Sequence, residues 1–288
     1  MSTEATQSSS DFEFVQILAD KLSSGSIELP SFPDAVIRLR QVLSDENSTT
    51  EQIAQLLAAE PMLAARLLRI ANSAALRPGT EPITDLNRVI NRIGRNMVRN
   101  AAMSFGVKQA QETQKLKQAQ PFLREVWDES THVAALSYVL AKRYTKLNPD
   151  EALLVGLLHS IGKLFILSEA ENQPELFADE AVLRKTLNDW HAPIGSAILE
   201  SWDLSEELSF AVSSFQDTSR EHEGPPDLTD VLTIACLLAC FLNAEADAEF
   251  QLNEVSASRY LEVSTSDILP VIQESEESIT SLRQALGG

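Results

Sequence analysis

A strongly apolar stretch, NPDEALLVGLLHSIGKL, spans Asn148 to Leu164 and restricts the fold more than any other part of the sequence. Asn148 is a good N-cap and Pro149 suits the first helical turn, so the pattern predicts a helix that begins there. The leucines recur at helical spacing, which indicates one wide buried face with His159 beside it. Gly162 is expected to end the helix. The stretch therefore predicts a core helix that carries a histidine into the interior.

Helical periodicity continues through the rest of the chain, and no credible run of alternating strand residues interrupts it. We therefore predict an all-α protein made of two packed helical bundles. Ser48 followed by Glu51 predicts a capping box for one of the earlier helices. The sequence NDWHAPIGSAILESWDL predicts a further helix that starts at Pro193. The polar pair Asn72 and Ser73 ends another helix, where such side chains can satisfy free carbonyls.

The charge of the chain restricts its partners. A formal net charge of -19 argues against general binding to nucleic acids, which needs many exposed Lys and Arg. The longest apolar runs, such as Val231 to Leu242, are too short to cross a bilayer, and the first ten residues are polar, so we expect no membrane contact and a cytoplasmic location. Cys236 and Cys240 lie four residues apart on one expected helix face, which predicts buried thiols.

Four arginines form the most distinctive basic pattern. They are spaced by four, three and four residues within the expected helix Ile83 to Met103, so they should form one narrow stripe: Arg88, Arg92, Arg95 and Arg99. Such a stripe can hold an acidic partner or a phosphate-bearing ligand, because Arg binds both in bidentate fashion. A solvated helix face is the alternative, and the spacing alone leaves both open.

Several segments resemble a known family. LLVGLLHSIGKL resembles the GLLHDIGKL signature of the HD superfamily of metal-dependent phosphohydrolases, with Ser160 in place of the aspartate. LPSFPDAVIRLRQVLSD, AAEPMLAARLLRIANSA and ITDLNRVINRIG are similar to the HDOD subgroup, the HD-related output domains of bacterial signalling proteins. The resemblance extends from about Ile27 to about Phe215. It predicts a tail and short helix (1–24), an N-terminal helical part (25–118), an HD-like part (119–226) and an acidic helical extension that packs on it (227–288).

The resemblance also implies where a metal centre would lie. It makes His132, His159, Ser160 and His191 vestigial metal-site positions, because a hard divalent cation needs the carboxylate that Ser160 lacks. Paired histidines that are common in the family are replaced by Phe215 and Gln216. The final metal aspartate is expected on the helix Val231 to Leu242, a run that contains no carboxylate.

The favoured interpretation is therefore a non-catalytic bacterial signal-transduction module with no cofactor. It would bind signalling proteins in trans, or a nucleotide or other anion through Lys163 and the arginine stripe. The alternative is a metal-dependent phosphohydrolase or phosphodiesterase with an altered ligand set. A divalent metal would then be held by His132, His159 and His191, with Asp128 or Asp189 as the substitute carboxylate.

Overall fold

Periodic apolar residues fold this chain into helices that share one core. The computed structural model describes residues 14–24, 34–45, 47–76, 83–113, 118–202, 204–243, 252 and 254–286. All regular structure within these ranges is helical, which confirms the predicted all-α class. The expected polar tail, residues 1–10, and the proline-containing entry, residues 29–33, lie outside the described residues.

The helices are numbered in chain order. The first five are α1 (14–24), α2 (Asp34–Ser44), α3 (Thr50–Ala58), α4 (Pro61–Ala71) and α5 (Leu86–Thr113). The next five are α6 (Gln120–Tyr144), α7 (Pro149–Leu158), α8 (Ile161–Ala170), α9 (Glu180–Ser201) and α10 (Glu206–Ser214), with a 3₁₀ turn at Pro174–Ala178. The last four are α11 (Leu228–Asn243), α12 (Ser256–Tyr260), α13 (Thr265–Glu274) and α14 (Glu276–Leu286).

Helix α6 is the centre of the packing. Every residue from Ser130 to Ala141 is buried, because α7, α8, α11 and α14 all pack around it. Helices α2, α3 and α4 pack on α5, and α5 in turn contacts α7. The last helix, α14, contacts α4 as well as α6, so it is not confined to the HD-like part. The division into two bundles and the domain boundaries stay predictions.

Helix α5 is not straight, which changes the predicted arginine stripe. Gly94 has φ 78° and ψ 164°, a conformation that L side chains rarely adopt, and it separates the helical turns on either side. Arg88 and Arg92 therefore precede a kink, while Arg95 and Arg99 follow it. The four side chains do not lie in the single narrow stripe that an unbroken helix would give.

Arg95 has a structural role at the end of α2. Its guanidinium donates to the carbonyl oxygens of Asp45 at 2.7 Å and Ser48 at 2.9 Å, and to the Ser48 hydroxyl at 2.5 Å. Ser48 is thus not the N-cap of α3. Thr49 and Gln52 form the capping box one residue later, with reciprocal bonds of 3.2 and 2.8 Å.

Asn72 fastens the end of α4 to the segment that leads into α5. Its amide nitrogen donates to the carbonyl oxygens of Leu68 and Ile83, each at 2.8 Å. Its amide oxygen accepts from the Ile83 N–H at 2.8 Å. The structural role expected for this residue is confirmed, since the side chain replaces backbone partners that neither segment could supply.

The apolar stretch that opens the sequence analysis forms two helices instead of one. Helix α7 begins at Pro149, and the Asn148 side chain accepts from the Asp150 N–H at 3.0 Å as predicted. The helix ends at Leu158, and α8 begins at Ile161. Gly162 therefore lies inside α8 and does not end a helix. By length and composition residues 149–170 could span a membrane, but 89% of the most apolar part of this segment is buried inside the fold.

Gly162 is required because α8 and α9 meet there backbone to backbone. A Cβ at this position would overlap the carbonyl oxygen of His191 and lie 2.9 Å from the Gly195 nitrogen. On the other side of the break, a Cβ at Gly156 would lie 2.7 Å from the Cα atom of Ala134 on α6. Residues 159 and 160 are thus held between two helix contacts that only glycine permits.

Two other expectations are corrected by the packing. Pro193 lies inside the 22-residue helix α9, which starts at Glu180 and not at the proline. The proline is exposed, so its ring does not disturb the core. Cys240 is exposed and Cys236 is only partly buried, because the face of α11 that carries them is incompletely covered.

We expect Gly162→Ala to destabilise the fold by more than about 3 kcal/mol, because the added methyl meets rigid backbone. Gly195→Ala is the matched control in the same interface, since its Cβ would meet a side-chain methyl, Val212 Cγ1, at 3.0 Å and would stay 3.6 Å from the nearest backbone atom of another helix, the Gly162 nitrogen. Urea unfolding of both variants measures the difference. Equal losses of stability would contradict the close contact at Gly162.

Candidate functional site

The break between α7 and α8 places His159 and Ser160 at the centre of the fold. His159 caps the C-terminus of α7, and Ser160 caps the N-terminus of α8. Both side chains are about 1% exposed. The name His–Ser centre is used below for this pair together with Glu129, Ser130 and Lys163, which contact it from α6 and α8.

Glu129 is the carboxylate that the structure places beside His159. Its Oε2 atom lies 2.7 Å from the Nζ atom of Lys163, and its Oε1 atom lies 3.8 Å from Nε2 of His159. Partial burial raises the pKa of Glu129, but His159 and Lys163 outweigh it and hold that pKa far below its usual range. Glu129 is therefore an ionised carboxylate whose charge is balanced by an ammonium from within the protein.

Ser160, which stands in the signature position of the aspartate, is bonded to another serine. Its hydroxyl lies 2.5 Å from the Ser130 hydroxyl on α6. The Ser130 hydroxyl donates in turn to the Val126 carbonyl oxygen at 2.7 Å, so Ser160 donates to Ser130. Both hydroxyls are thereby satisfied inside the protein without a cation.

His159 and His191 both contact the ring of Phe215. The phenyl ring is perpendicular to the His159 ring at a centroid distance of 5.6 Å and lies 5.8 Å from the His191 ring. The Nδ1 atom of His159 is 2.7 Å from the Gly156 carbonyl oxygen, and Nδ1 of His191 is 2.8 Å from that of Leu187. Since a carbonyl oxygen only accepts, each Nδ1 donates and each Nε2 is left for another partner.

His132 is not part of this group. It lies two residues beyond Ser130, about 200° round α6, and is buried near Arg283 of α14. Among the described residues, the three histidine side chains do not bring their ligand atoms within 4.8 Å of one another. The structure therefore brings His159, Ser160 and His191 together and leaves His132 on another side of the helix.

The other predicted contacts are also dispersed. Lys163 is in the His–Ser centre, whereas the arginines of α5 are not: Arg88 and Arg92 are exposed, and Arg99 lines a separate cavity. The two aspartates considered as substitute carboxylates, Asp128 and Asp189, are both exposed, and Asp189 is paired with Lys185. Helix phase turns these side chains outward, so they do not supply the missing ligand.

A buried carboxylate that the sequence analysis missed is Asp230. Helix α11 begins at Leu228, earlier than expected, and so includes this residue. Its Oδ1 atom lies 2.9 Å from Arg220, and its Oδ2 atom lies 2.9 Å from Nε2 of His222. Asp227 also pairs with Arg220, at 2.7 Å. The charged residues between Arg220 and Asp230 were the sequence signal for this ion-pair network. None of them belongs to the His–Ser centre.

Comparison with known proteins agrees with this fold. The sequence matches the HDOD domain over residues 29–218, well over half of the chain. A solved structure from Shewanella amazonensis SB2B, provisionally named a metal-dependent phosphohydrolase, is 27% identical with a TM-score of 0.83; the match covers 96% of this chain and 99% of the other. No curated protein matches the sequence significantly.

Two further solved structures share the fold at lower identity. One is an HDOD domain protein of unknown function from Geobacter sulfurreducens, with 23% identity, a TM-score of 0.66, and coverage of 94% of this chain and 96% of the other. The other is a provisionally named signal transduction protein from Marinobacter aquaeolei VT8, with 15% identity, a TM-score of 0.61, and coverage of 97% and 66%. The all-helical fold agrees with these relatives, and the family match over residues 29–218 shows that the chain is of the HD-related class. Within that class, the chain belongs to the HDOD domain family.

Burial of His132 predicts a specific response to pH. Burial, assisted by Arg283, lowers the pKa of His132 from 6.5 to about 4. Between these values the unfolded chain binds a proton that the folded chain does not, so stability falls as pH falls from 6.5 towards 4. His132→Gln removes this contribution. The unfolding free energy of wild type should fall by about 1.3 kcal/mol more than that of the variant between pH 7.5 and 5.5.

Urea unfolding of wild type and His132→Gln at the two pH values measures this difference in unfolding free energy. Because both proteins contain all the other titrating groups, the contributions of those groups cancel. Parallel pH dependence of the two proteins would show that His132 is not held neutral by its surroundings.

Proposed function

We propose that this protein is a non-catalytic signal-transduction module whose His–Ser centre is a structural remnant of a metal site. The observation that carries the proposal is the 2.7 Å ion pair between Glu129 and Lys163 beside His159. A hydrolytic metal centre needs carboxylates to neutralise its cations. Among the described residues, the carboxylate that lies beside the histidine, Glu129, already has a cation as its partner, in the form of Lys163.

The neighbouring side chains support the same conclusion. Ser160 offers a hydroxyl that is hydrogen-bonded to Ser130, where the signature has a carboxylate. Phe215 contacts the rings of both His159 and His191, and a phenyl ring has no lone pair to offer a metal. The residues present do not fit a two-metal centre.

The family and its relatives support a signalling role in bacteria. The Marinobacter aquaeolei VT8 protein of similar fold is named for signal transduction, and all three described relatives come from bacteria. We place this chain in the bacterial cytoplasm, where it acts in trans on other signalling proteins, bound directly or under the control of a small ligand. A chain of charge -19 suits basic or amphipathic protein surfaces better than nucleic acid.

A metal-dependent phosphohydrolase is the second candidate, and two observations favour it. The Shewanella amazonensis SB2B protein of 27% identity is provisionally named as one. In addition, His159 and His191 both donate Nδ1 to main-chain carbonyls, which is how metal-binding histidines are often oriented. One experiment separates the two candidates.

Elemental analysis of the purified protein, grown with sufficient metal, tests the proposal. We expect wild type to contain far less than one metal ion per chain and to hydrolyse no phosphodiester. His159→Ala removes the central imidazole, and His132→Ala is the matched control, a histidine of α6 outside the centre.

Stoichiometric metal that is lost in His159→Ala and kept in His132→Ala would overturn the proposal, as would phosphodiester hydrolysis with the same dependence. Metal contents near zero in all three proteins, with no hydrolysis, are the expected result.

A further inference from the structure

A cavity lies where α2 and α5 face α7, α9 and α10. Its volume is about 310 Å³, at the lower end of the range for small-molecule sites, roughly 300–1,000 Å³. It is distinct from the His–Ser centre, whose residues do not line it. Arg40 of α2 and Arg99 of α5 line one side, and Trp202 and Glu207 line the other. The name interhelical cavity is used for it below.

Two guanidinium groups in the interhelical cavity lack an acidic partner. Neither Arg40 nor Arg99 forms an ion pair with any carboxylate among the described residues, although the chain contains 42 acidic residues. Arg40 donates to the Trp202 carbonyl oxygen at 2.7 Å, and Arg99 donates to the Asn96 side chain at 3.0 Å. Each guanidinium has five N–H donors, so most remain available to an anion.

Asn100 contributes an unused acceptor. The residue is 1% exposed and lines the cavity, and its amide nitrogen donates to the Asp150 carbonyl oxygen at 2.8 Å. This bond fixes the orientation of the amide, because a carbonyl partner requires the nitrogen on that side. Its amide oxygen is buried with no hydrogen-bond partner. A buried acceptor without a donor is costly. Less than 1 Å² of this oxygen is accessible, so it belongs to the wall of the cavity and is not itself a contact for a ligand.

The remaining lining restricts the ligand further. Leu154 and Met103 supply apolar surface and Trp202 an aromatic side chain, which suits a flat heteroaromatic ring better than a sugar. Glu151 and Glu207 also line the cavity and balance the charge of the two arginines. A ligand of low charge is therefore favoured over a polyphosphate.

We propose that the interhelical cavity binds a nucleoside monophosphate, with the phosphate at Arg40 and Arg99 and the base on the side lined by Met103, Leu154 and Trp202. This proposal deepens the proposed function and rests on it, because it names the class of ligand that would control the module. The ligand would join α2 and α5 to α9 and α10. Its binding would thus alter how strongly the two sides of the cavity are held together.

Isothermal titration calorimetry with AMP and GMP on the full chain tests the site. Arg99→Met should weaken binding of the monophosphate at least tenfold, because charge-assisted hydrogen bonds are lost. Arg88→Met is the matched control, since it removes the same charge from an exposed position on the same helix outside the cavity. It should leave the dissociation constant within about twofold of wild type.

Ligand analogues and a second variant define the class. Ribose 5-phosphate and inorganic phosphate should bind much more weakly than the monophosphates, and GTP more weakly than GMP. Glu207→Gln should shift the preference towards GTP, an effect that a purely structural role of Glu207 would not produce.

The proposal is overturned if neither AMP nor GMP binds at millimolar concentration, if Arg99→Met and Arg88→Met bind equally, or if ribose 5-phosphate binds as tightly as the nucleotides. Absence of nucleotide binding in a protein that is also free of metal and hydrolytic activity would reject the nucleotide site alone. The non-catalytic module would then still stand, with a protein partner as its input.

Discussion

Two close helix contacts, at Gly156 and Gly162, determine the geometry on which the rest of the structure depends. The first brings α7 against Ala134 of α6, and the second brings α8 against His191 of α9. His159 and Ser160 lie between them, so their side chains have little freedom to move. Because the contacts are made by backbone atoms, they fix the helices independently of which polar residues occupy the centre. A metal site can therefore lose its ligands by substitution while the fold around it persists.

Much of this fold follows from local sequence, and the exceptions have physical causes. The start of α7, the burial of its leucines and the position of His159 depend on neighbouring residues, so periodicity predicts them. The break after Leu158 and the kink at Gly94 depend on packing, and a regular apolar pattern does not record them. The same limit applies to His132, because spacing cannot say which side of a fully buried helix faces α7. Arg95 is the clearest case, since the carbonyls it contacts lie about 50 residues earlier in the chain.

The net charge of the protein does not reveal how its charged residues are arranged. The chain carries -19, yet the His–Ser centre balances Glu129 with Lys163, and the interhelical cavity sets two arginines against two glutamates. In the His–Ser centre the two opposite charges are in contact, and the neighbouring side chains are hydrogen-bonded to each other. In the interhelical cavity, by contrast, the arginines have N–H donors without partners, and Asn100 has an unused acceptor. A closed ion pair in one site and an unsatisfied cavity in another are compatible with the proposed role of a protein that senses a ligand.

The contact between α14 and α4 has a consequence for how the chain folds. The Ser281 hydroxyl accepts from the Ala74 N–H at 2.9 Å, across a separation of 207 residues. Closing so long a loop is costly in entropy, and proteins rich in such distant contacts fold slowly. During synthesis, the surfaces of α4 and α6 that α14 covers stay exposed until α14 has been translated. The C-terminal helix thus determines when the apolar surfaces of α4 and α6 are covered during synthesis.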